Sequence, residues 1–464
     1  MLAYNKQGME KIFKEKKRLD LVNGNLKKDI FRFALPIMFS GILQQLYNQA
    51  DLMVCGNFGS KYSVGAISAT GSISYLLICL LIGLSVGSNA LVSNALGSKD
   101  KEKAKRIIGT SLFFGFVSSL IISVLGYFIS ERLLILMNTS IEILPLSTKY
   151  MQIIFIGLPF NLIYNFGAAL LRGMGDSKKP FYYLTSAGVV NVLLNLLFVI
   201  VFKMDVEGVA IATIVAQAIS AILVVITLMK GNLFARFELN YFRIYKNEFF
   251  EIVKVGLPAG IQGSFFSISN VLIQSSINAF GPVANTGVGA ASSIETYLNT
   301  IQNSFGQTCI AFVAANLGSS NYKRIKESTF WCLLYGVVIS LALGVVVNLF
   351  KTPLLSLFTK DEESIAIGSK KILIICSVYF IYAITDCLPY ASRGMGYSTV
   401  PMFVSLIGIC LIRVLFILFV FPLEQFHSLE FLFFTYPLSW VFTALAHFIC
   451  YLIFLKKTKE RLLA

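Results

Sequence analysis

The chain has 464 residues, 56% of them hydrophobic and only 14% charged, with 40 phenylalanines. Ordinary soluble domains sit nearer about 45–50% apolar, so the composition points to a membrane protein before a soluble enzyme or binding module. The formal charge of +15 does not mark a nucleic-acid partner, because lysine and arginine fall in the gaps between apolar runs and not on one face of a folded domain.

The first 28 residues are polar and lysine-rich. They lack the early apolar core and small-residue cleavage site of a secretory signal, so the first apolar span is expected to act as its own uncleaved signal. Runs such as "SLFFGFVSSLIISVLGYFI" and "LLYGVVISLALGVVVNLF" carry no charge and exceed the roughly 18 residues that mark a membrane-spanning candidate. The pattern predicts twelve spans, near 29–55, 63–93, 104–129, 143–170, 180–203, 207–230, 248–278, 284–315, 325–350, 366–391, 400–422 and 430–455.

Cytoplasmic loops accumulate lysine and arginine. The basic segments are the N-terminal tail, "SKDKEKAKR" (98–106), "RGMGDSKK" (172–179), residues 231–247, "NYKRIK" (321–326) and "KKTKER" (456–461). They are alternate loops, which predicts a multi-pass membrane protein with both termini in the cytoplasm. The loop near 351–371 dissents with Lys351, Lys360, Lys370 and Lys371, although Asp361, Glu362 and Glu363 accompany them.

The tetrapeptide RGMG occurs at 172–175 and again at 393–396. "ALPIMFSG" (34–41) matches "GLPAGIQG" (256–263), "NALGSKDKEKAKR" (94–106) matches "ANLGSSNYKRIKE" (315–327), and Pro180 matches Pro401, all at an offset of 221 or 222. The fold expected is therefore all-α, a six-helix unit duplicated in parallel about an axis along the membrane normal. The expected division is a tail (1–28), a first lobe (29–230), a linker (231–247) lying on the leaflet surface, a second lobe (248–455) and a C-terminal tail (456–464). Each RGMG reads as the turn after a lobe's fourth helix, with its arginine at the headgroup boundary.

Several signals lead away from catalysis. "GLSVG" (83–87) fits a nucleophile-elbow pattern but lies inside a helix, and the histidines are only His427 and His447. Small residues at that spacing favour close helix packing instead. No phosphate-cradling GxxxxGK[ST] occurs. The eight cysteines lie one per apolar segment without a CxxC pair, so neither a disulfide framework nor a metal site is expected. No enzyme activity and no cofactor are expected.

Ionisable residues inside spans are candidates for function. Gln44, Tyr47, Asn48 and Asp51 recur at three- and four-residue intervals on one face of the first span, and Asn191 and Asn195 share a face of the fifth. Together they predict a polar pocket in which Asp51 is the acid and Tyr47, Asn191 and Asn195 its ion-coupling partners. A carboxyl in a semi-dry pocket can exchange a proton near neutral pH. Gln44, Asn48, Glu295 and Asn165 are the candidates for substrate contact, although Asn165, with Gln217, Asn270 and Gln274, also reads as interhelical glue. Glu295 stands mid-span where it would attract a cation, and Asp386 and Arg413 are expected to pair across spans 10 and 11.

"FALPIMFSGILQQLYNQADLMVCGNFG", "NALGSKD", "LLRGMGDSKKP" and "VVNVLLNLLFVIVF" followed by "EGVAIATIVAQ" together resemble the multidrug and toxic compound extrusion family, in its bacterial branches. The resemblance implies two six-helix lobes around a V-shaped cleft. It also implies antiport of lipophilic, often cationic organic compounds against protons or sodium, by a protein expected to be a monomer. The family's helix-1 aspartate corresponds to Asp51. Many relatives read NxxxD on helix 5, where this chain has Asn195; Ser267 stands where another branch has an acid, and Asp386 is about one turn from that branch's helix-10 aspartate. Proton coupling through Asp51 is the favoured expectation. The alternative is a flippase for lipid-linked saccharides, which would need several arginines along its cleft; only Arg413 lies clearly mid-span.

Overall fold

The computed structural model describes residues 19–463, apart from the side chains of 72–77. Residues 1–18 of the expected tail lie outside the described residues. The described residues are mainly helical, in twelve long rods joined by short helices and loops. These are α1 (Leu26–Phe58), α2 (Ser63–Gly97), α3 (Lys101–Leu136), α4 (Leu144–Gly173) and α5 (Lys178–Leu196, continued by a π-helical stretch Leu197–Val201), then α6 (Val206–Lys230) and α7 (Lys246–Asn278). They continue with α8 (Pro282–Gly318), α9 (Tyr322–Leu349), α10 (Glu362–Cys376 and Tyr379–Gly394, bent by 53°), α11 (Thr399–Val420) and α12 (Leu429–Leu463).

Among the described residues eight rods are long and apolar enough to cross a membrane, and nine if the bent α10 is one span. The chain is a multi-pass membrane protein. The remaining rods, α1, α7 and α8, fall short because polar residues interrupt them, including Gln44, Asn48 and Asp51 on α1 and Glu295, Asn299 and Gln302 on α8. Polar faces on otherwise apolar helices have to be turned toward protein or a watery cavity.

The duplication reaches the backbone. Asp100 caps α3 and Asn321 caps α9 through the same side-chain bond to the third residue on. The last glycine of each RGMG has φ in the left-handed region, +87° at Gly175 and +91° at Gly396, a conformation open to glycine at little cost. The arginine of the second copy turns inward: Arg393 is 4% exposed and donates from Nη2 to Gln262 Oε1 on α7 at 2.6 Å. That glycine-broken turn aims the side chain back into the bundle.

All connections that carry RGMG turns, together with both described chain ends, lie at one end of the molecule, called here the RGMG end. There the lobes exchange helices. The first half of α1 packs into the second lobe, with Ile30, Phe33 and Ile37 buried among Phe312, Cys309 and Leu388. The Phe33 and Phe312 rings meet edge-on, 5.6 Å between centroids. Reciprocally, Ile252 and Val255 at the start of α7 join the core of the first lobe. Toward the other end each helix returns to its own lobe: Val54 and Cys55 pack with Val199, Val206 and Val209, while Ile273 and Ile277 pack with Phe421 and Leu432.

The lobes touch along the RGMG halves of α2 and α7. A Cβ added to Gly83 would fall 2.2 Å from the Gly260 nitrogen, and one on Gly87 2.4 Å from the Ile252 oxygen, so the helix-packing reading of "GLSVG" holds. Farther along, Leu46 and Met53 on α1 and Phe265 and Ile268 on α7 are exposed. The structure is a V, closed at the RGMG end. Gly83→Leu is expected to wedge that end apart and shift the population away from this V; spin labels at Leu46 and Ile268 would report a shortened distance across the open side.

Residues 19–25 are tied to the closed end. Leu21 is 1% exposed, its carbonyl accepts from Asn316 Nδ2 at 3.1 Å, and the Gly24 carbonyl accepts from Arg324 Nη2 at 3.1 Å.

The linker does not lie free on a leaflet. Leu233, Ala235 and Phe237 are buried in the first lobe's core, where Phe237 and Phe113 both pack against Phe242. Ion pairs Lys105–Glu238 (3.0 Å), Arg106–Glu248 (2.7 Å) and Lys103–Glu251 (3.0 Å) strap it and the start of α7 to α3. The Tyr241 hydroxyl donates to Glu102 at 2.6 Å. Phe237 and Phe242 of the linker fill the groove beside α3.

Candidate functional site: a buried carboxylate in the first lobe

Asp51 lies in the half of α1 that belongs to the first lobe, and is 8% exposed. Its periodicity with Tyr47 aims it at α5 and α6. Asn195 donates from Nδ2 to Asp51 Oδ1 at 2.5 Å, and the Thr213 hydroxyl lies 3.3 Å from Oδ2. Asn191 completes the cluster, its Nδ2 donating to Thr213 Oγ1 at 3.3 Å and its Oδ1 lying 3.4 Å from Asn195 Nδ2. Asn191 is 5% and Asn195 0% exposed. The Asn195 Oδ1 is buried with no partner. A carboxylate satisfied by neutral donors, beside an idle acceptor, is a set that can take up one positive charge without rebuilding the helices.

Thr213 was missed in the sequence. It is the one hydroxyl in "EGVAIATIVAQ", and a threonine in an apolar helix is unremarkable until the helix is known to face an acid. Its own bond to the Val209 carbonyl at 2.9 Å fixes its rotamer.

Tyr47 does not touch the carboxylate. Its ring lies over Gly188, where a Cβ would meet it at 1.8 Å, and its hydroxyl is 3.3 Å from the Thr185 carbonyl. It sets the spacing between α1 and α5. Gln44 and Asn48 are exposed. They continue the face of α1 that touches Thr300 of α8 at Gly41, beyond the point where the lobes separate, so they border the V. Asn165 is apart from the cluster, with Nδ2 bonded within its own helix to the Asn161 carbonyl at 2.9 Å. Gln274 does act as glue, donating to Asn285 on α8 at 2.6 Å.

Two expectations for the second lobe are corrected. Glu295 is not a lone acid awaiting a cation: Lys371 Nζ lies 3.1 Å from its Oε1, with the lysine side chain 3% exposed. Lys371 sits ten residues into α10 and not in the preceding loop, which also removes it from the dissenting charges. Lys370 pairs with Glu430 at 2.7 Å. Asp386 and Arg413 do not pair. Arg413 donates from Nε to Ser439 Oγ on α12 at 3.0 Å and stacks over Tyr436, 4.1 Å to the ring centroid, whereas Asp386 Oδ2 is buried without a partner. Among the described residues no group of three His, Cys, Asp or Glu side chains could hold a metal ion.

Two six-helix lobes, joined at one end, with a carboxylate sealed inside one of them, define a membrane transporter architecture. The sequence profile of the MatE family matches residues 36–197 and 258–419, one stretch in each lobe. The chain belongs to the MatE family. It is 27% identical over 384 residues to the probable multidrug resistance protein YoeA of Bacillus subtilis (strain 168), covering 81% of this chain and 83% of that one. A MATE transporter solved in complex with MaL6 superposes with a TM-score of 0.90 at 20% identity, over 96% of this chain and all of that one. A multidrug resistance MATE transporter of the MOP superfamily, described as outward-facing, gives 0.88 at 20% identity over the same shares.

Proposed function

We propose that the protein is a secondary multidrug efflux antiporter of the bacterial plasma membrane, exporting lipophilic, often cationic organic compounds in exchange for protons by alternating access of its two lobes. The reading takes the chain as a monomer divided at 231–247, with the RGMG end and both termini cytoplasmic. The V then opens to the outside. The ion pairs of Lys370 and Lys371 support that orientation, since they neutralise two of the four lysines that spoke against it.

One observation carries the mechanism. Asp51 sits on a helix whose first half is anchored in the opposite lobe and whose second half seals the acid against Asn195 and Thr213. A change in the charge of Asp51 therefore alters its hold on α5 and α6. Because α1 spans both lobes, that change is felt at their junction. The exposed apolar residues along the V offer loose contact for aromatic guests, and Asp51 is the acid that carries the exchanged proton.

The test is efflux of ethidium from proteoliposomes with proton and sodium gradients imposed separately. Export driven by the proton gradient alone is expected. Export driven only by sodium would overturn the proton assignment, and none under either gradient would overturn the antiporter reading.

A further inference from the structure

The two matched stretches start 222 residues apart and end 222 residues apart. Asp51 of the first lobe then corresponds to Ile273 of the second, and because Pro180 and Pro401 in α5 and α11 are 221 apart, Asn191 falls at Ile412, the neighbour of Arg413. The contacts agree. Asn191 on α5 meets Thr213 on α6, and Arg413 on α11 meets Tyr436 and Ser439 on α12, next to Thr435, the counterpart of Thr213 in the same register. Both sites also adjoin π-helical turns: Leu197–Val201 follows Asn195, and Arg413 lies in the single α turn Ile412–Leu415 between π segments Leu406–Leu411 and Phe416–Val420. Such turns are concentrated at functional sites. The second lobe thus holds a counterpart of the first lobe's site in which the acid has become a buried isoleucine (2% exposed) and a guanidinium stands one residue from the place of an amide.

That guanidinium is underused. Arg413 is 4% exposed, and its one hydrogen bond among the described residues is from Nε to Ser439, which leaves both Nη groups without an acceptor. The carboxylate whose field reaches it is Glu295, and Lys371 already engages that acid at 3.1 Å. Asp386 lies instead in the field of Arg393. A buried cation without its own counter-ion is costly, and a planar fork of free donors matches a carboxylate or phosphate.

The packing beside it is aromatic. Tyr436, over which the guanidinium stacks, lies 6.1 Å from Trp440; Trp440 lies 5.2 Å from Tyr382. The Tyr382 hydroxyl accepts from the exposed Asn299 on α8 at 2.7 Å, which links this ring cluster to the surface of α8.

The geometry points to an anion-recognition site at Arg413 in the second lobe that takes the carboxylate of an aromatic acid or zwitterion, with the rings of Tyr436, Trp440 and Tyr382 receiving its flat body. The substrate class of the proposed exporter then extends beyond cations. The first lobe holds the exchangeable positive charge, and the second reads a negative one. This assignment rests on the efflux reading for its meaning in transport, but the binding itself can be measured without transport.

The probes are 1-pyrenebutyrate, its isosteric carboxamide and ethidium, titrated by fluorescence anisotropy against the full-length protein in nanodiscs. The native protein is expected to bind the carboxylate about tenfold or more tighter than the amide, the worth of a charge-assisted bidentate contact. Arg413→Gln is expected to erase that preference while ethidium binding changes by no more than about twofold. Arg413→Lys, which keeps the charge but loses the fork, should retain part of the preference. Equal loss of all three probes in Arg413→Gln would make the residue a structural cation and overturn the assignment, as would a carboxylate preference that survives the substitution. If Arg413→Gln does not fold, an unchanged carboxylate-to-amide ratio in Arg413→Lys overturns it equally. Failure of ethidium export under both gradients would sink the efflux reading yet leave the measured ratio standing, so the two failures are separable.

Discussion

Asp51→Asn is expected to reduce proton-driven efflux by a factor on the order of a hundred, near the top of the range of coupling free energies between sites. Binding of ethidium measured without a gradient should change far less. The asparagine fits the space, because the cluster is already built of amides and a hydroxyl, and Asn195 can turn its amide to present Oδ1 in place of Nδ2. Stability is therefore expected to hold, which separates this variant from one that merely unfolds. What is lost is the exchange of charge at the joint where α1 passes from one lobe's core to the other's. Thr213→Val should give an intermediate loss, since it removes one donor to the carboxylate and leaves the acid in place. Full proton-coupled efflux by Asp51→Asn in proteoliposomes would place the exchange elsewhere in the molecule.

The duplication and the meeting of α1 with α5 were legible in the sequence for the same reason: both rest on periodicities that the chain carries locally. RGMG at a fixed offset needs no tertiary information, and polar residues at three and four intervals on two helices have few places to go in a lipid bilayer except toward each other. Partners from a third element were not legible. Thr213 and Lys371 become part of their clusters only when packing sets the rotation of α6 and α10, and the 53° bend in α10 cannot be read from "CSVY". Nor can the absence of a pair between Asp386 and Arg413, which lie on neighbouring spans. The linker misled for a different reason. A stretch rich in both rings and basic residues suits a leaflet surface and a protein groove equally well, and the groove beside α3 is decided by residues more than a hundred positions away, such as Thr110, whose hydroxyl accepts from the Tyr245 nitrogen at 3.2 Å.

Removing Lys371 should be among the most destabilising single changes in the second lobe. Its side chain is 3% exposed and Glu295 16%, and Lys371 Nζ also bonds Ser292 Oγ at 2.6 Å. Breaking a buried ion pair from one side typically costs about 3–5 kcal/mol, because the remaining charge is left without compensation. Lys371→Met is therefore expected to lower thermal stability sharply, whereas Lys371→Met combined with Glu295→Gln should recover most of the loss, giving a favourable coupling in a double-mutant cycle. Additive losses would mean the pair contributes no more than its parts. The same substitution bears on Arg413. With Lys371 gone, Glu295 has one remaining cation within its field, the guanidinium of Arg413, and a carboxylate supplied by the protein itself would then occupy the donors proposed for the guest's carboxylate. Lys371→Met should consequently weaken 1-pyrenebutyrate binding, and the added Glu295→Gln should restore it. Stability and binding recovering together in the double variant would tie Lys371 to both tasks: holding the lobe together, and holding Glu295 away from Arg413.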